Sequence, residues 1–295
     1  MCTFCVVPFT RGRERSRDPQ SILAEINDLR LKGYKEVTLL GQNVDSYLWY
    51  GGGLKKDFKK ASDLQKVTAT DFSKLLDLCA NSQPKMRFRF STSNPQDMSI
   101  DVIKTMAKYE NICNYIHLPV QSGSNRILKK MKRDYTVEHY ISIIERLRDK
   151  RPDLRVSTDI IVGFPGETDE DFLETLNVIN EGQFDSVYMF KFSPRPGTKA
   201  NSMQDEYVSK SKIDSRFMEL KKIQTDISHS RLQRFIGTHQ HVLIEKYSKK
   251  TNDFLTGKID GGQTTHIKAE NVSIGDFVEV EIVDATPFAL TAVLL

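Results

Sequence analysis

From Asp18 to about Ala200 the chain alternates helix-period segments with short β-rich runs, a rhythm that confines it to parallel sheets and α/β barrels. The first helix has its signals in order. Asp18 can cap it, Pro19 suits its first turn, Ile22, Leu23, Ile26 and Leu29 share one face, and Gly33 can end it. Strands are predicted over 36–40, 86–91, 115–120, 155–162 and 187–192, with helices over 71–80, 99–109, 125–132, 136–150 and 168–181. In the helix at 136–150, Val137, Tyr140, Ile141, Ile144 and Leu147 form one apolar stripe. The stretch from about 47 to 70 interrupts the rhythm with three consecutive glycines and five lysines, and reads as an exposed, mobile insertion.

A long charged helix is predicted from 205 to about 235. Beyond Gly237 the period becomes two, over 241–245, 253–259, 265–268, 276–283 and 288–294. Five short strands with glycine-containing turns predict a small barrel of the oligonucleotide-binding kind. The domain reading is therefore 1–230 for the α/β part and 231–295 for the β module. A chain of 295 residues buries enough surface to fold without a metal or a disulfide, so clustered cysteines ask for a chemical explanation. The net charge of +4 permits a nucleic-acid partner without demanding one. There is no run of eighteen apolar residues, and the N-terminus turns basic after Phe9 without a secretory apolar core, which points to a cytoplasmic protein with no membrane partner. Four cysteines, two of them closely spaced, suit a reducing compartment.

Cys2-Thr3-Phe4-Cys5 lets one loop aim two sulfurs at one metal centre, although a zinc half-site or two uncoordinated thiols share that spacing. Cys79 lies on an apolar helix face with Phe72, Leu75 and Leu76, and Cys113 precedes a strand, so both read as core thiols. Five other stretches fall at or just after the C-terminal ends of predicted strands, the face where α/β barrels assemble their sites: 39–44, 91–95, 117–124, 159–167 and 193–198. Gly41 lets backbone approach a ligand, Gln42 and Asn43 offer amides, and Ser91 and Ser93 offer hydroxyls. Gln121, Ser122 and Ser124 make a polar strand end, and Gly163, Pro165 and Gly166 shape a turn into a helix whose amides can face a ligand. Arg11, Arg13, Arg15 and Arg17 form one basic patch, and Lys129, Lys130, Lys132 and Arg133 another, placed to hold phosphates around one barrel mouth. In the β module Lys246, Lys249, Lys250, Lys258 and Lys268 mix with Tyr247 and Phe254 as single-stranded RNA sites do.

On these residues the chain resembles the radical S-adenosylmethionine (SAM) family, and within it the methylthiotransferases. The family signature is Cys-x3-Cys-x2-Cys. Cys2 and Cys5 match its last two positions, the first would stand four places before Cys2, and the first barrel strand would precede that, so the chain reads as truncated. The resemblance implies a partial β/α barrel lacking its first strand, followed by a TRAM RNA-binding barrel. It implies a 4Fe-4S cluster held by three cysteines, an incomplete set here, with SAM on the open iron and chemistry supplied by a 5′-deoxyadenosyl radical. SAM contacts are then expected at Gly41, Gln42, Asn43, Ser91, Ser93, Gln121, Ser122 and Gly163, with Arg133 pairing its carboxylate, and RNA contacts at Arg11, Arg13, Lys246 and Lys258. A further N-terminal domain with an auxiliary 4Fe-4S cluster, and a reducing electron donor, are also implied, but no DNA. The implied substrate is the dimethylallylated adenosine 3′ of the anticodon in a tRNA anticodon stem-loop, converted from C–H to C–SCH3 at C2 without a side-chain general base. Siblings act on a ribosomal-protein aspartate or on threonylcarbamoyladenosine, and the chain alone reads as inactive, in the limit a non-catalytic RNA-binding fragment.

Overall fold

The computed structural model describes residues 2–248, 254–269 and 271–295. α1 (Val7–Arg11) follows the cysteine loop, and α2 (Pro19–Leu31) starts where Asp18 accepts the Gln20 N–H at 3.2 Å. β1 (Glu36–Leu40) leads into the insertion, which holds β2 (Leu48–Trp49), α3 (Asp63–Thr68) and β3 (Thr70–Asp71). Then come α4 (Phe72–Ser82), β4 (Arg87–Ser91), α5 (Ile100–Lys108), β5 (Tyr115–His117), α6 (Asn125–Lys130), α7 (Val137–Lys150), β6 (Arg155–Val162), α8 (Asp169–Gly182), β7 (Ser186–Lys191) and α9 (Lys210–Gln233). Asp71, Ser99, Thr136, Thr168 and Ser209 each cap their helix by accepting an amide three residues on.

β1 pairs in parallel with β4, and β5, β6 and β7 pair in parallel in that order. The Phe88 N–H donates to the Asn111 carbonyl at 2.7 Å and the Cys113 N–H to that of Phe88 at 2.8 Å, which joins the two sets as β1-β4-β5-β6-β7. Alternation along the strands divides the residues between two faces. Phe88, Phe90, Ile116, Val156, Ile160, Val162 and Val187 face one way and pack against the helices. The other face is polar. Arg89 donates to Glu36 at 3.1 Å, the Tyr115 hydroxyl lies 2.6 Å from the Ser157 hydroxyl, and His117 Nδ1 lies 2.8 Å from the same oxygen. The Tyr188 ring meets His117 edge-on at 5.4 Å. An all-parallel sheet whose helices cover a single face, with polar side chains on the other, is the wall of a partial α/β barrel.

The β module comprises β8 (His239–Tyr247), β9 (Phe254–Lys258), β10 (Thr264–Lys268), β11 (Phe277–Ala285) and β12 (Leu290–Leu294), closed in the order β10-β12-β11-β8-β9 around Val242, Ile244, Leu255, Ile267, Val280, Ile282 and Leu290. It sits against the N-terminal ends of the parallel strands. Arg87 donates to the Lys258 and His241 carbonyls at 3.2 and 3.3 Å, Arg155 to that of Gly261 at 2.9 Å, and the Asn114 N–H to Asp260 Oδ2 at 2.7 Å. Behind this contact the buried Asp185 carboxylate receives Arg231 at 2.9 Å, the Val156 N–H at 2.9 Å and Arg155 at 3.4 Å.

Four details differ from the sequence reading. The insertion is no bare loop: β2 and β3 close its base antiparallel, and the Tyr50 ring packs on Phe58 at 5.2 Å, giving it an apolar kernel that its lysines had masked. The strand expected over 115–120 stops at His117, because Pro119 has no N–H to give, and the ladder returns only as a bridge from Gln121 to Ile160. The long helix starts at Lys210, after a separate turn over Gln204–Glu206, because Ser209 supplies the cap. Finally, α1 stands where no helix was expected. Cys79 and Cys113 are core thiols as read, and burial pushes the Cys79 thiol up to about 12.

Candidate functional site

The cysteine loop is pinned by the two residues between its thiols. The Thr3 N–H and hydroxyl donate to the Met131 and Lys130 carbonyls at 3.1 and 3.0 Å, and the Thr3 carbonyl accepts the Ala200 N–H at 2.9 Å. Phe4 packs among Ile127, Met131, Phe164 and Ala200. The Cys5 N–H folds back on the Cys2 carbonyl at 3.4 Å, leaving both thiols free and half-buried. Arg133 lays its guanidinium 5.9 Å from the Phe4 ring centroid, with Nε buried and unpartnered. The neighbouring Tyr135 donates to the Pro119 and Val120 carbonyls, just before Gln121. Burial raises the pKa of that phenol, with Arg133 lowering it and Cys2 raising it, so Cys2, Arg133 and the end of β5 share one electrostatic neighbourhood. The donors stop at two sulfurs. Among the described residues no set of three His, Cys, Asp or Glu side chains is grouped to hold a metal ion, so the residues present do not complete a three-thiolate cradle.

The other predicted residues divide into exposed and engaged. Gly41 and Gln42 lie exposed at the end of β1, and Asn43 donates to Asp97 at 2.6 Å while its Oδ1 is buried and unpartnered. Ser91 is half-buried at the end of β4. Ser93 is buried and its hydroxyl is already engaged, donating to Asp45 at 3.2 Å. Asp45 also accepts the Asn94 N–H at 3.1 Å, and burial pushes its carboxyl up to about 7. No sequence signal marked Asp45, a single carboxylate in an ordinary loop.

Gln121 is buried with φ of +74°, a conformation costly for any residue but glycine, and its backbone bridges to β6. Ser122 accepts the Ser124 N–H at 3.2 Å, and the Ser124 hydroxyl donates to Asp171 at 2.7 Å. The Ser122 hydroxyl thus braces the loop from within, and the Ser124 hydroxyl latches it to α8. Burial opposes ionisation of Asp171, but hydrogen bonds from Arg126, Ser124 and Thr168 hold its carboxyl well below the usual range. The Gly163 N–H, expected to face a ligand, donates to Glu167 at 3.0 Å, and Glu167 in turn takes Arg216 at 2.6 Å.

Of the basic residues, Arg11, Arg13, Arg15 and Arg17 line a cleft of about 920 Å³ beside β1, with Arg17 paired to Glu25. Lys130 pairs with Glu206, and Arg133 lies over the ring of Phe4, the residue before Cys5. Lys246 is exposed on β8, whereas Lys258 pairs with Glu245 at 3.1 Å and faces the seam with the sheet. Lys249 and Lys250 lie outside the described residues. The cysteine loop and the β module thus occupy opposite ends of the parallel strands. No helix among the described residues is long and apolar enough to cross a membrane.

Residues 233–295 match the TRAM domain and residues 1–179 the Radical SAM superfamily. The chain is 56% identical over 290 residues to the tRNA-2-methylthio-N(6)-dimethylallyladenosine synthase of Christiangramia forsetii, covering 98% of this chain and 60% of that protein. The protein of the same name from Flavobacterium johnsoniae is 52% identical, covering 97% and 60%, and that of a Thermoanaerobacter species 42% identical, covering 100% and 59%. The chain therefore spans about 60% of the length of these curated relatives. Among solved structures, a radical S-adenosylmethionine methyltransferase, TsrM, from Kitasatospora setae superposes with a TM-score of 0.50 at 14% identity, covering 68% of this chain and 36% of that one, which speaks to the fold alone. With the parallel sheet, the anchored cysteine loop and this match over more than half its length, the chain belongs to the Radical SAM superfamily and carries a TRAM domain at its C-terminal end.

Proposed function

We propose that this chain is the barrel and RNA-binding portion of a tRNA methylthiotransferase that converts the N6-dimethylallyladenosine beside the anticodon to its 2-methylthio derivative. The observation that carries the reading is the seating of the Cys-x2-Cys loop: Thr3 and Phe4 fasten two free thiols beside Arg133 and the end of β5. The name and closeness of the relatives supply the substrate. Cys2 and Cys5 would give two ligands to a 4Fe-4S cluster whose chemistry is electron transfer to SAM. On this reading Gly41, Gln42, Asn43, Ser91 and Gln121 would line the SAM position and Arg133 would pair its carboxylate, while Gly163, Ser93 and Ser122 would shape the site through the backbone and their hydrogen bonds to Glu167, Asp45 and the Ser124 amide.

Nucleoside mass spectrometry of tRNA from a strain lacking the full-length gene tests the substrate: the 2-methylthio-dimethylallyl nucleoside is expected to vanish, and its persistence would refute the assignment. Because the loop offers two cysteine sulfurs, the 295-residue polypeptide reconstituted anaerobically with iron and sulfide is expected to release no 5′-deoxyadenosine from SAM. Steady release, followed by chromatography, would contradict that ligand count.

A further inference from the structure

At the end of the sheet remote from the cysteines, a cavity of about 450 Å³ opens between the strands and the β module, lined among others by Arg89, Tyr115, Tyr188, Lys221, Lys258 and Phe288. Two of its walls are aromatic and wet. Phe288 is 76% exposed and Tyr188 51% exposed, so two solvated rings share the lining of one cavity. Phe288 is held out by construction: the Thr286 hydroxyl accepts the Phe288 and Ala289 N–H groups at 3.3 and 3.1 Å, and Gln263 donates to the Phe288 carbonyl at 3.2 Å. Across the cavity Tyr188 is steadied edge-on by His117.

Cations share the lining with these rings, alongside neutral residues and the Asp185 carboxylate. Lys221 is exposed, Lys258 keeps its ammonium partly in solvent beside Glu245, and Arg89, with Nε and Nη2 committed to Glu36, has Nη1 buried and unpartnered. Exposed rings with cations beside them are how proteins hold unstacked bases and the phosphates that join them. The volume lies in the range of small-ligand sites and suits one nucleotide.

We propose that this seam holds one unpaired nucleotide of an RNA loop, its base against Tyr188 and Phe288 and its phosphate toward Lys221 and Lys258. The inference rests on the tRNA reading above and adds a second RNA contact at the end of the barrel opposite the cysteine loop. The test is the affinity of the 295-residue chain for a fluorescein-labelled RNA hairpin with an unpaired loop, against the same stem as a full duplex. Phe288→Ala and Tyr188→Ala are each expected to weaken hairpin binding by about tenfold, as loss of a stacked base does, while leaving the duplex unaffected. Phe288→Trp and Tyr188→Phe, which keep a ring, should retain it. A hairpin carrying 4-thiouridine in its loop should photo-crosslink to the peptides holding Tyr188 or Phe288 in the unsubstituted chain, which needs no variant to fold. Unchanged hairpin affinity in both alanine variants, an equal loss for duplex and hairpin, or crosslinks elsewhere would overturn the seam and leave the tRNA reading standing. A chain that binds no hairpin at all would overturn both.

Discussion

Asp45 is held in a setting that opposes its charge. It is 8% exposed, and burial outweighs the hydrogen bonds from Ser93 and Asn94 and the distant pull of Lys55, while Asp97 adds like-charge repulsion. Its carboxyl therefore titrates near 7 in the native state against 3.8 when exposed, so the folded protein holds this proton more tightly than the unfolded chain does. Stability gained by that proton is full at low pH and is lost as the pH rises through about 7. Urea midpoints are expected to fall as the pH rises from about 4 to about 7 and to level off above it, and Asp45→Asn to flatten that slope. Glu167, buried and pushed up to about 6, contributes with the same sign one step lower, so some slope should persist in the variant at more acid pH. Sequence reading found the chemical types here and missed their directions. Ser93 and Ser122 stand where hydroxyls were expected, yet which way each turns depends on Asp45 and on the Ser124 amide, a partnership made in space and invisible in spacing.

Among the elements, the strap over 121–124 shows how a loop is made rigid by a helix behind it. Gly123 donates to the Thr175 hydroxyl at 3.0 Å, and a Cβ there would stand 2.4 Å from the Thr175 Cα and 2.6 Å from the Glu174 carbonyl oxygen. Both are backbone atoms, so α8 would have to move. Gly123→Ala is accordingly expected to cost about 1–3 kcal/mol, read as a lowered thermal midpoint, and an unchanged midpoint would show that the strap yields freely. The parallel strands and their helices were legible because apolar residues recur at their own period: in α7, Tyr140, Ile141, Ile144 and Leu147 are all buried as the stripe predicts. What escaped had no period to show. α1 is five residues long, and the insertion's kernel is one contact between Tyr50 and Phe58 within a run of lysines.

On the scale of the molecule, the two modules are joined by polar groups rather than by a shared apolar core. Asp260 accepts the Asn114 N–H at 2.7 Å, lies 3.8 Å from Arg87, and offers its carbonyl to Arg89 at 3.2 Å. Asp260→Ala strips the side-chain partner from a backbone amide at the seam, an expected loss of about 1–3 kcal/mol. Scanning calorimetry is expected to give one transition for the unsubstituted chain and two for the variant; a single unshifted peak in the variant would mean that the modules are coupled elsewhere. A second consequence follows from the way the strands divide their residues. Positions that turn toward the helices carry the packing, whereas Thr38, Ser91, Ser186, Tyr188 and Phe190 alternate with them and bear little of it. Odd and even places along one strand thus carry separate physical duties, one holding the sheet to its helices and one facing the lumen. Substitution at these five inner positions can therefore change what the barrel wall offers to a ligand while the packing against the helices stays in place.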